Sequence, residues 1–215
     1  MATFGELQER VAMLVMDDSL EAMLSSLINQ GVNEIAGGMQ SALGDWTTPP
    51  LPDLFTIGTV DTSTSVAYVN MPTNFQRDLQ LVVRSTGQEV NIANSFIEFT
   101  ETYPALDKTG IISEAAEQGG KFYYQGIPSV SESVTLHYYR RPVDMVDNDD
   151  TPDGIPLHLQ FSLLVNYAAW KAYEFIEDGI EGETPNTQKY MGLFLSALRT
   201  LELSVPYDNR GLMLR

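Results

Sequence analysis

The chain has 215 residues, 29 acidic against 12 basic for a formal net charge of −17, and no cysteine. With 43% hydrophobic and 19% charged residues it reads as a globular chain of one domain, or of one core with a large insertion. Disulfide staples and thiolate-held zinc are excluded, no apolar run approaches the ~18 residues of a membrane span, and basic residues scattered singly, apart from Arg140-Arg141, are a poor match to a phosphate backbone.

In chain order, the first segment reads as helical. Thr3 followed by Glu6 is a capping-box pattern, and Phe4, Leu7, Val11 and Leu14 recur at helical spacing. The opening residues lack the basic and apolar regions of a signal peptide, so a soluble chain made in the cytoplasm is expected. Asp17-Asp18-Ser19 breaks the first helix and can cap a second, in which Leu20, Leu24, Leu27, Ile28, Ile35 and Met39 mark one face. Gly37-Gly38 and Gly44 are stop signals, and Thr48-Pro49-Pro50-Leu51-Pro52 is a stiff linker that cannot continue a helix.

From Leu54 to about Val143 the pattern changes to short β-like runs separated by turn residues. The expected strands are Phe55–Val60, Val66–Asn70, Leu79–Arg84, Phe96–Thr100, Phe122–Gln125 and Val134–Arg140. Val134, Leu136 and Tyr138 alternate with Thr135, His137 and Tyr139, as in a half-buried strand. This insert is expected to be an antiparallel sheet or sandwich.

After the acidic turn Asp147–Gly154 the helical period returns. Leu157, Phe161, Leu164, Val165, Ala168, Ala172 and Phe175 form one apolar face, and Leu159, Leu163, Tyr167, Trp170 and Tyr173 form a second row on roughly the opposite side. A helix apolar on two sides is buried on two sides. The second row therefore meets either the β insert or another subunit. Thr184 caps a last helix with Pro185 at its first position and Tyr190, Phe194, Ala197, Leu198 and Leu201 inward. The tail from Ser204 to Arg215 is either a frayed terminus or an arm that docks Leu212-Met213-Leu214 and Arg215 on a partner. The expected organisation is α+β: residues 1–47 plus 154–203 as a helical bundle, 48–153 as a β-rich insert with an acidic loop, and 204–215 as a C-terminal arm.

Catalytic patterns are weak. The two histidines, His137 and His158, match no metal-ligand spacing, and there is no Gly-x-Ser-x-Gly. Gly119-Gly120-Lys121 lacks the remaining spacing of a phosphate loop. Asp149, Thr151, Asp153 and Gly154 sit at the first offsets of a calcium loop, but Gln160 stands where the bidentate Glu belongs. Those acids suit water and a helix N-terminus better. Arg140-Arg141 reads as a solvated strand end ahead of a carboxylate clamp. No enzyme, cofactor or metal is expected.

Four stretches carry a family resemblance. They are Thr3-Phe4-Gly5-Glu6-Leu7 leading to Ile28–Ala36; Tyr68-Val69-Asn70-Met71-Pro72-Thr73-Asn74-Phe75, with Met and Asn in place of the usual Leu and Asp; Leu136-His137-Tyr138-Tyr139-Arg140-Arg141-Pro142; and the hairpin from Ile155-Pro156 through Tyr190–Leu201. In this order they resemble the head-to-tail adaptor (connector) proteins of tailed bacteriophages. The resemblance implies a structural virion protein in the neck: a dodecameric ring under the portal that extends the DNA channel and offers a platform to the next tail or neck protein. Double-stranded DNA would pass without specific binding. In that family the C-terminal arm reaches the portal; on this chain its candidates for that contact are Tyr207, Arg210, Leu212, Met213, Leu214 and Arg215, and the subunit contact falls to Leu159, Leu163, Tyr167, Trp170 and Tyr173. The alternatives are another neck component, such as a tail terminator or stopper, and a carbohydrate-binding module built on Phe122-Tyr123-Tyr124 and Tyr138-Tyr139.

Overall fold

A computed structural model describes residues 1–39, 48–177 and 184–204. The expected stop at Gly44 and the tail from Val205 onward lie outside the described residues. The chain is α+β and divides into two units, Met1–Leu54 with Arg141–Arg215, and Phe55–Arg140.

The first unit is helical. Helix α1 (Phe4–Val15) starts where the Thr3 hydroxyl accepts the Glu6 N–H at 3.3 Å and the Glu6 carboxylate accepts the Thr3 N–H at 3.0 Å. It ends at Met16, whose φ of 52° is left-handed. A single 3-10 turn at Asp18–Leu20 leads into α2 (Glu21–Gly37), which stops at left-handed Gly38. Beyond the β unit the chain enters a 3-10 turn (Leu157–Leu159), a π-helical turn (Phe161–Val165) and then α4 (Asn166–Ile176). The long last helix is α5 (Pro185–Ser204). Helix α4 packs on α1 and α2, while α5 packs chiefly on α4 and the π turn, so α5 lies on the flank of α4 away from α1 and α2.

Close approach of α2 and α4 depends on Gly31. A Cβ at this position would stand 2.7 Å from Cδ1 of Tyr167, so only glycine lets that ring come this close to α2. The buried faces follow the helical period: Phe4, Leu7, Val11 and Val15 on α1, and Leu24, Leu27, Ile28, Val32 and Ile35 on α2.

The second unit is one seven-stranded sheet in the order β1-β7-β3-β4-β5-β6-β2. Its strands are β1 (Phe55–Asp61), β2 (Tyr68–Asn70), β3 (Phe75–Arg84), β4 (Glu89–Ile92), β5 (Glu114–Gln118), β6 (Lys121–Tyr124) and β7 (Ser133–Arg140). Val134, Leu136 and Tyr138 of β7 are buried in the core with Val82, Val90, Phe122 and Tyr124, as their alternation requires.

Two expectations are corrected here, and two strands are added. The segment 96–100 is not a strand: it starts α3 (Phe96–Thr102), because the Ser95 hydroxyl accepts the N–H groups of Ile97 and Glu98 and so caps a helix. The sheet is mixed, not antiparallel, because α3 is the crossover that brings β5 parallel to β4. Strands β4 and β5 carry little strand signal; Glu114-Ala115-Ala116-Glu117-Gln118 has helix-forming composition and is a strand through its pairing with β6.

Candidate assembly surfaces

The acidic turn was grouped with the β insert from sequence, yet its hydrogen bonds tie it to the helices. The N–H groups of Phe4 and Gly5 donate to the carbonyls of Asp150 (2.7 Å) and Asn148 (3.0 Å). Asn29 of α2 grips Met145 from both sides: its Nδ2 donates to the Met145 carbonyl at 2.9 Å, and its Oδ1 accepts the Met145 N–H at 3.0 Å. Asn33 donates to the Asp144 carboxylate at 2.8 Å.

Two aspartates serve the turn itself. Asp150 Oδ2 accepts the N–H groups of Val146 and Asp147, which hold its carboxyl below the ordinary aspartate range. Asp153 Oδ2 accepts the Val143 N–H at 3.0 Å. Gln160, in the place of a calcium-loop Glu, is buried; its Oε1 accepts the Ala2 N–H and its Nε2 donates to the Ile155 carbonyl. The result is a rigid clasp on α1 and α2 that leaves Val143 and Val146 exposed at 70% and 80%.

The aromatic row falls mostly inside the helical unit. Leu159, Leu163 and Tyr167 are buried, while Trp170 and Tyr173 are half-buried. Tyr167 and Trp170 both pack on Phe194 of α5, at ring distances of 5.3 and 5.8 Å. The Tyr173 ring lies 5.4 Å from that of Tyr190 and 4° from parallel, and its hydroxyl donates to the Leu14 carbonyl at 2.9 Å. Lys171 lies over the Trp170 ring at 4.0 Å and pairs with Glu174 at 2.9 Å. Of the other face, Leu157, Phe161 and Phe175 are exposed, whereas Leu164, Val165, Ala168 and Ala172 are buried. The π turn explains part of this displacement, since its wider repeat shifts residues upstream of Asn166 around the helix axis.

The start of α5 is held by an acid that the sequence reading passed over. Glu177 accepts four hydrogen bonds there, from the N–H and side-chain amide of Asn186 and from the N–H and hydroxyl of Thr187. Desolvation alone would raise its pKa, but these donors prevail and hold it below the ordinary glutamate value. Charge is also unevenly divided. The helical unit's sequence holds 20 acidic and 7 basic residues, a formal −13, against 9 and 5 in the β unit, a formal −4.

The aromatics considered for carbohydrate do not form an exposed cleft. Phe122, Tyr124, Tyr138 and Tyr139 are buried and only Tyr123 is half-exposed, packed against Tyr68 and Phe96. His137 packs beside Phe55 at 6.0 Å, and His158 is exposed in the 3-10 turn. Arg140 ends β7 opposite Phe75, and Arg141 is exposed. Among the described residues, no helix is long and apolar enough to cross a membrane. The proposed arm contacts, Tyr207, Arg210, Leu212, Met213, Leu214 and Arg215, lie outside the described residues.

Compared with known proteins, residues 2–212 match the family model described as SU10 adaptor protein. No curated protein matches the chain.

Proposed function

Since the chain belongs to the SU10 adaptor protein family, a phage head-tail adaptor family, we propose that it sits in the virion neck as a dodecameric ring beneath the portal. There it extends the DNA channel and presents a platform to the next neck or tail protein. The observation that carries this reading is the extent of the family match, which spans both units and runs into the tail. The charge is consistent with it: a chain at −17 gives a duplex little to adhere to, so DNA slides through without specific binding.

In this reading the terminal arm is the portal contact. Tyr207, Leu212, Met213 and Leu214 supply apolar anchors, and Arg210 and Arg215 supply positive charge in a chain whose formal net charge is −17. Trp170 and Tyr173, the members of the aromatic row with exposed surface, belong to the contact between copies, and Leu159, Leu163 and Tyr167 support them from inside the unit.

The experiment is capture of full-length and arm-truncated protein (ending at Ser204) by immobilised portal. Full-length protein is retained, and truncation weakens retention by about a hundredfold or more, the effect expected when a few buried anchors dominate binding. Equal retention of both removes the arm from the account.

A further inference from the structure

Helix α5 turns one face inward and leaves a seam outward. Lys189, Leu193, Ser196, Arg199 and Leu203 follow at three- and four-residue spacing and are all exposed, Leu193 at 45% and Leu203 at 84%. The seam holds two cations and no carboxylate, in a unit with a formal charge of −13. Beside it lies Gly192, where an added Cβ would meet no atom within 4 Å. Among the described residues nothing explains a glycine there, although glycine weakens a helix interior relative to alanine.

On the other flank of α4, the acidic clasp presents the opposite character. Asp147 and Asp149 are exposed beside Val143 and Val146, on a backbone already fixed to α1 and α2. A preformed turn loses little conformational freedom on docking.

We propose that the outer seam of α5 in one copy receives the 143–149 turn of the next copy. Lys189 and Arg199 face Asp147 and Asp149, the valines rest on Leu193 and Leu203, and the turn's backbone approaches over Gly192. The occupant is a second copy because both halves of the match, opposite in charge and each bearing exposed apolar side chains, stand on different flanks of the same unit. A contact between two different patches repeats head to tail and closes into a ring when its rotation permits. The inference rests on the reading that copies assemble into a ring, and adds this pair of surfaces to the contact that reading gives to Trp170 and Tyr173.

The test measures self-association by sedimentation for the full chain, for Lys189→Glu/Arg199→Glu, for Asp147→Lys/Asp149→Lys and for an equal mixture of the two variants. Wild type associates, either double variant weakens association at least about tenfold, and the mixture restores it because glutamates then face lysines. Gly192→Trp, on an open surface, abolishes association while leaving the melting temperature near that of wild type.

A wild-type chain that stays monomeric at about 100 µM, the weak end of specific association, overturns the inference. So does association unchanged by the variants, or a mixture that fails to recover. If the seam variants associate normally but lose portal capture, the seam belongs to a different protein and the inference falls. The adaptor reading is judged separately by portal capture of wild type: capture without association through these surfaces leaves that reading standing, and association without capture removes the reading alone.

Discussion

At the residue scale, two positions in the α2–α4 contact test the packing most sharply. Gly31→Ala forces a methyl group to 2.7 Å from the Tyr167 ring. Neither helix can give freely, so the variant should lose about 1–3 kcal/mol in chemical denaturation, the usual cost of overpacking. The Tyr167 hydroxyl is buried with the Glu34 carboxylate nearby, but makes no hydrogen bond of good geometry among the described residues. Burial, and secondarily the Glu34 carboxylate near it, push its ionisation well above the ordinary tyrosine value. Tyr167→Phe should therefore be neutral or stabilising, within about 1 kcal/mol of wild type, because it removes a buried polar atom that gains nothing. A loss of more than about 2 kcal/mol would mean that the hydroxyl is bonded after all. Sequence periodicity placed Tyr167 on an apolar row but gave no measure of how completely its own unit would enclose it. The enclosing partners, Gly31 and Phe194, lie far away in the chain and carry no local mark of the contact.

At the element scale, Glu177 couples the hairpin to pH. Its folded-state pKa is depressed, so the stability it contributes is present above the ordinary carboxylate value and is lost as pH falls through the folded-state value. Glu177→Gln should lower the melting temperature at neutral pH and flatten its decline between about pH 5 and about pH 3. A decline as steep as that of wild type would assign the acid sensitivity to other carboxylates. The helices were legible in the sequence where caps and apolar spacing agreed, as at Thr3 and Pro185. Strand β7 was legible from its alternation. The segment from Phe96 has aromatic and β-branched residues that suit a strand, and its helix rests on Ser95, a cap signal just upstream. The clasp was hidden because Asn29 and Met145 are separated by 116 residues. A polar residue on the inner side of an apolar helix was its only sequence trace.

At the scale of the whole molecule, the chain combines a helical unit that carries most of the negative charge with a β unit built on a mixed sheet. Family membership makes it a phage adaptor protein; the ring, the portal contact and the contact between copies are the parts we propose. The most direct measurement is electron microscopy of purified protein mixed with its portal. The account predicts a closed ring of this chain seated coaxially on the portal, with its axial channel open. Protein that never associates with intact portal ends would contradict it.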